Sequence, residues 1–186
     1  MTLHADAVDV LASWQAPDEP QERLRAAFLR HLDTHEDGMW RACRSAHVTA
    51  SALVVDPSRS AVLLTLHPKV GRWLQTGGHC EAHDPSLAAA ARREAAEESG
   101  MTELRLLPQP AVLDRHDVAC GGGRSVHLDV QYVAVAATGA LPRRSAESDD
   151  LAWFPMSALP DGVDASVRRL VTRAAVLLEG GAPSRE

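Results

Sequence analysis

Glu94, Glu97 and Glu98 stand at i, i+3 and i+4, so a helix carrying them places three carboxylates on one face. Like charges that close raise one another's pKa and weaken the helix unless a cation compensates. The donors are all oxygen, with no cysteine pair or spaced histidines among them, which suits a hard divalent ion, magnesium or manganese, over zinc. Arg93 directly precedes the cluster, and its planar fork is suited to bracing a carboxylate. Upstream, Gly77 and Gly78 carry no side chain, so the backbone there can approach a metal or a substrate phosphate. Glutamate-rich helical stretches are ordinarily solvated faces. Here the double glycine, the arginine and the stopping Gly100 argue for a site. So do Ala88, Ala91 and Ala95, small residues that let a helix lie close on a sheet.

These groups need a helix from Ser86 to about Ser99, with Asp84 or Ser86 as its cap, Pro85 early and Gly100 at its end. Before it, His47 to Asp56 and Ser60 to His67 read as strands joined by the turn Pro57-Ser58-Arg59. Gly71 to Gln75 continues the sheet up to a break at Gly77-Gly78. After it, Leu104 to Leu113 is extended but interrupted by Pro108 and Pro110, as at a sheet edge. Gly121 to Gly123 reads as a flexible loop, Ser125 to Ala136 and Leu151 to Phe154 as strands, and Val163 to Leu178 as a closing helix. Ala5 to Trp14 and Pro20 to Leu32 form two amphipathic helices at the start, the second with Leu24, Phe28 and Leu32 in one stripe. The expected organisation is one α/β domain over residues 1–186: a helical extension (1–45), a core (47–159) and a C-terminal helix (163–179).

The stretch TGGHCEAHDPSLAAAARREAAEESGM resembles the box of the Nudix hydrolases, the MutT-like family. Gly78 takes the first place of that box, and Arg93 to Met101 supplies its whole second half. Asp84 stands where the box has its first glutamate, and eight residues rather than seven separate it from Arg93. GRWLQTGGHCE, the two strands before it and LAWFPMSAL also match the family's order of elements, so the resemblance spans His47 to Leu159 and omits the N-terminal helices. It implies the Nudix α/β/α sandwich with a mixed sheet. It also implies a magnesium-dependent hydrolase, with manganese as a possible substitute, that cuts a diphosphate linkage in a nucleoside diphosphate-linked small molecule by attack of water. Residue by residue, it makes Glu94, Glu97 and Glu98 catalytic residues and metal ligands, adds the Gly78 carbonyl as a ligand and gives Arg93 a catalytic role. Glu94 and Glu98 are the alternatives for general base. A further acid outside the box is common in the family; Glu147 is the candidate for a metal ligand, with Asp129 as its rival.

Lys69, the only lysine, and Arg72 flank Val70-Gly71 just ahead of the box and are candidates, with Gly77, for substrate binding; a solvated loop charge is an even alternative for the two cations. His67, His79 and His83 read as loop hydrogen-bonders, and His31 and His35 as surface residues rather than a zinc pair. Met39, Trp40 and Trp153 read as packing. A net charge of -6 argues against DNA and anionic membranes as partners, and no apolar run is long enough to span a bilayer. Three scattered cysteines support neither a disulfide framework nor a zinc knuckle, so a cytoplasmic setting is expected. A homodimer is compatible with this reading. Two other classes stand beside it: a non-catalytic ligand-binding or sensor domain on the same fold, and an isomerase that would need Cys80 as its catalytic thiol.

Overall fold

The computed structural model describes residues 1–120, 123–146 and 148–180. Two helices open the chain, α1 (Leu3–Ser13) and α2 (Glu19–Thr34). Asp18 caps α2 by accepting from the Gln21 amide, and Pro20 occupies the first turn, where its missing N–H costs nothing. Four strands follow: β1 (His47–Val55), β2 (Ala61–His67), β3 (Arg72–Leu74) and β4 (Thr76–His79). The glutamate helix is α3 (Leu87–Ser99). Beyond it come β5 (Leu104–Leu106), β6 (Val112–Cys120), β7 (Gly123–Ala136), β8 (Asp150–Pro155) and α4 (Ala165–Glu179).

The eight strands form one mixed sheet. β1 and β7 run parallel through its centre, in register from His47 opposite His127 to Val55 opposite Val135. Along its other edge, β1 pairs first with β4, over Thr49 to Ala52, and then with β2 at Val54 and Val55. Successive side chains of a strand point to opposite faces. Val48, Ala50, Ala52 and Val54 therefore enter one core with Leu11, Phe28, Leu87 and Ala91 from α1, α2 and α3. Leu53 and Val55 enter a second core with Val167, Leu170 and Ala174 from α4. Helices thus cover both faces, which makes the α/β/α sandwich expected from the sequence. The N-terminal helices belong to the first core: Phe28 and Leu32 are fully buried, each worth about 1.5–3 kcal/mol of apolar transfer.

The elements differ from the sequence reading in three places. Gly77 and Gly78 do not break the sheet; they are the middle of β4, where the missing side chains allow close packing. The proline-interrupted segment resolves into β5 and a nine-residue β6, with Pro108 and Pro110 in the connection between them. The polar run Asp114-Arg115-His116-Asp117 has little strand propensity. Pairing along β7, from Val112 opposite Gln131 to Cys120 opposite Gly123, decides its conformation. Gly121 and Gly122, expected in a loop, lie outside the described residues, and Gly123 already opens β7.

Candidate active site

Local sequence and one distant residue set the position of α3. Ser86 is its cap and accepts from the Ala89 amide at 3.1 Å. Asp6 of α1 accepts from the Leu87 amide at 2.7 Å, satisfying another of the amides a helix start leaves open. Its carboxylate also faces the positive end of the helix dipole. At the other end Gly100 adopts φ 69°, and its bare Cα lies against Arg143. Ala90, Ala91 and Ala95 are fully buried and allow the helix to lie directly on β1 and β4.

On the exposed edge of α3, Arg93 gathers the acids. Its Nε and one terminal nitrogen donate to the two oxygens of Asp84 at 3.0 and 2.9 Å, a bidentate pair. That terminal nitrogen also donates to the His79 carbonyl at 2.9 Å. The other donates to Glu94 at 2.9 Å and Glu97 at 3.2 Å. The Arg93 side chain is 15% exposed and that of Asp84 only 3%, so this ion pair is poorly screened. Burial works against the Asp84 charge, but hydrogen bonds from Arg93 and from the Glu81 amide outweigh it and hold the carboxyl below its usual pKa. Asp84 is thus the anchor of Arg93. The acids Glu94, Glu97 and Glu98 follow Asp84 within the continuous helix α3, which Ser86 caps.

The glycine strand closes the site from the sheet side. A Cβ at Gly78 would stand 2.6 Å from Glu94 Oε2, so the Glu94 carboxylate occupies the space a side chain would need. The Gly77 amide donates to Glu98 Oε2 at 3.3 Å. A Cβ at Gly77 would meet Ser51 Cα at 2.6 Å, so this residue must be glycine for β4 to pack on β1. Arg93, Glu94, Glu97, Glu98, Gly77 and Gly78 therefore meet in one place. Glu97 is the most exposed of the acids, with a side chain 59% accessible.

Other candidates lie elsewhere. Lys69 is exposed in the turn between β2 and β3, and Arg72 is exposed at the start of β3. Glu147 lies outside the described residues. Asp129 is buried on β7, where Thr49 and Ser51 donate to its two oxygens at 2.9 and 2.7 Å, Gln131 at 2.9 Å and Gln75 at 3.4 Å. Its lone pairs are taken up by the sheet. Cys80 is 6% exposed, and burial pushes its thiol up to about 12, the opposite of an activated nucleophile. This removes the support for the isomerase reading. Met39 is buried, and Trp40 and Trp153 pack against the first core. His31 lies in the last turn of α2 and His35 caps it. They are half-buried, with rings stacked 4.4 Å apart. A cavity of about 950 Å³ opens elsewhere on α3, between Arg59, Ser86, Arg92 and Arg105, and Glu94, Glu97 and Glu98 do not line it.

Sequence reasoning missed Asp6, whose role depends on a contact with no local signal. It left Asp84 undecided between cap and box residue. The Arg93 fork nine residues away was the available clue to its partner.

Residues 45–174 match the NUDIX domain, reaching past Leu159 into α4 and covering well over half the chain. Among curated proteins none matches the chain. Solved structures share its fold. A NUDIX-family hydrolase from Clostridium perfringens is 24% identical, with a TM-score of 0.56 over 71% of this chain and 97% of that one. A C. elegans Ap4A hydrolase in a binary complex is 17% identical, with a TM-score of 0.57 over 72% and 98% of the two chains. The NUDIX domain of Shewanella oneidensis NrtR, complexed with ADP ribose, is 19% identical, with a TM-score of 0.55 over 80% and 97%. The chain belongs to the NUDIX family. No helix among the described residues is long and apolar enough to cross a membrane.

Proposed function

We propose that the protein is a magnesium-dependent hydrolase that cleaves a diphosphate linkage in a nucleoside diphosphate-linked small molecule, with water as the attacking group. The carrying observation is the convergence of Glu94, Glu97 and Glu98 beside Gly77 and Gly78, held by the fork of Arg93. The donor set fits magnesium, with manganese as a substitute: every side-chain ligand is a carboxylate, and Gly78, whose bare Cα faces Glu94, supplies a backbone carbonyl as a further ligand. Bound between these carboxylates, magnesium would neutralise diphosphate charge and make water a better nucleophile. Arg93 holds Glu94 and Glu97 in place while Asp84 fixes Arg93 itself. Glu94 or Glu98 takes the proton of the attacking water. Lys69 and Arg72 meet substrate phosphate from the β2–β3 turn, and Gly77 leaves room for it; Glu147 completes the acid set. The similarity to an Ap4A hydrolase and to an ADP-ribose complex makes dinucleoside polyphosphates and ADP-ribose the first compounds to test. The net charge of -6 fits a small-molecule partner rather than DNA or an anionic membrane.

The test is a diphosphate library containing both compounds, assayed with protein stripped by EDTA and then given magnesium. Turnover is expected only with the metal. Glu97→Gln and Glu98→Gln should each lower it by about 10²-fold or more. Their metal-free melting temperature should be unchanged or raised, because a repelling charge has gone. Glu103→Gln, beyond the helix, is the control. Wild-type turnover in both box variants would overturn the reading, and tight binding without hydrolysis would favour the sensor domain.

A further inference from the structure

On β1, β4 and β7, away from the glutamates, three histidines meet. His47 and His127 are direct neighbours across the parallel β1–β7 pair. His79 sits opposite Thr49, and so diagonal to His47, at the end of β4. One ring nitrogen from each lies within 4.8 Å of the other two. The rings pack at centroid distances of 5.1 Å (His47 and His79), 4.9 Å (His47 and His127) and 5.0 Å (His79 and His127).

Two features distinguish this cluster from apolar filling. The Nε2 atoms of His47 and His127 are buried and have no hydrogen-bond partner, a deficit of about 1–3 kcal/mol for each buried polar atom. His47 Nδ1 lies 3.3 Å from the Cys43 carbonyl. A carbonyl only accepts, so in neutral His47 the proton sits on Nδ1 and Nε2 presents a lone pair. That is how a metal-binding histidine is oriented: one nitrogen tied to a backbone oxygen, the other left for the ion. Burial, chiefly, also keeps the rings neutral at pH 7, with His79 lowered to about 4 and His127 to about 3.

The geometry points to a second metal site, in which His47, His79 and His127 bind one borderline divalent transition ion such as zinc, separate from the carboxylate site. An imidazole-only set prefers zinc, cobalt, nickel or copper over magnesium, the reverse of the glutamate cluster. Tetrahedral zinc with N ligands at about 2.0–2.1 Å sets N–N separations of roughly 3.4 Å, so binding draws the rings together by at most about 1.5 Å. Three protein ligands leave a fourth position for solvent or another group. His116, 5.3 Å from His127 and paired with Asp114, stands beside the cluster. Exposed Arg41 opposes a cation there, while Asp114 and Asp129 favour positive charge on the neighbouring His116. An ion on these rings would tie the end of β4 to β1 and β7. The same residue, His79, offers its backbone carbonyl to Arg93.

Cobalt is the probe, because its visible absorption reports coordination by nitrogen. Metal-stripped full-length protein should bind one equivalent with a visible band that zinc displaces and millimolar magnesium does not. His79→Gln and His127→Gln should each weaken cobalt binding by about 100-fold or more while keeping the metal-free melting temperature. Two half-exposed positions are used because fully buried His47 is the riskier one to change. Glu97→Gln and Glu98→Gln should leave the band intact. Zinc should raise the melting temperature of wild type but not of the histidine variants. The inference fails if wild type shows no band, if the band survives in both folded histidine variants, or if it disappears in the glutamate variants instead.

Discussion

Alanine at Gly78 and alanine at Gly77 insert the same methyl group at adjacent positions of β4, yet the structure gives them opposite consequences. At Gly78 the methyl would stand 2.6 Å from Glu94 Oε2 and 2.8 Å from Glu94 Cδ and Oε1. Ordinary contact is about 3.5–4.0 Å, so the carboxylate must retreat by roughly 1 Å. It is the end of a flexible side chain and can do so cheaply, which keeps stability within about 1 kcal/mol of wild type. The retreat costs the 2.9 Å contact with Arg93 and moves a metal ligand, and a displacement of that size lowers turnover by about 10²-fold. At Gly77 the methyl would meet Ser51 Cα at 2.6 Å and the Ala50 carbonyl at 3.0 Å. These are backbone atoms of β1 that cannot swing aside. Overpacking there costs about 1–3 kcal/mol, before the strain of φ 155° is added. The assay pairs steady-state turnover of the best diphosphate substrate and a magnesium titration with thermal or urea unfolding. Gly78→Ala should be folded and poorly active; Gly77→Ala should be less stable. Wild-type turnover and magnesium requirement in Gly78→Ala would refute the placement of Glu94 against the glycine backbone.

Asp84→Asn keeps the shape but removes the charge that anchors Arg93. Stability should fall by about 2–3 kcal/mol and turnover should drop with it, as read from urea unfolding and the same assay. Acid should weaken the fold before the carboxylates titrate. The folded pKa values of His79 and His127, about 4 and about 3, lie below the ordinary 6.5, so the unfolded chain takes up protons first as pH falls. Stability present above 6.5 is therefore lost as pH falls from 6.5 through those folded values. Allowing for partial exposure, each contributes about 2 kcal/mol between pH 7 and 4.5. A urea midpoint unchanged across that interval would contradict the burial of these rings. Dithiothreitol should leave the melting temperature unchanged, and buried Cys80 should resist thiol reagents until the protein unfolds.

What the sequence determined alone was whatever depends on neighbours along the chain. Helical geometry puts Glu94, Glu97 and Glu98 on one face wherever α3 goes. Ser86 and Gly100 bound that helix because capping and left-handed backbone are properties of single residues. The β-branched and leucine-rich runs before it became β1 and β2 for a similarly local reason. Tertiary structure decided the rest. Whether the Gly77-Gly78 pair was a break or a strand depended on Ser51 and Glu94 closing around it. Asp129 was an open carboxylate in sequence, but Thr49 and Ser51 on the neighbouring strand took up its lone pairs. β6 lacks intrinsic strand character and exists because β7 supplies a ladder. Asp6 reaches Leu87, and His47, His79 and His127 share one corner of the sheet, only because pairing brings distant segments together. A propensity or a cap acts over a few residues and leaves its mark in composition. A cross-strand neighbour is chosen by the register of the whole sheet, and no spacing along the chain records it.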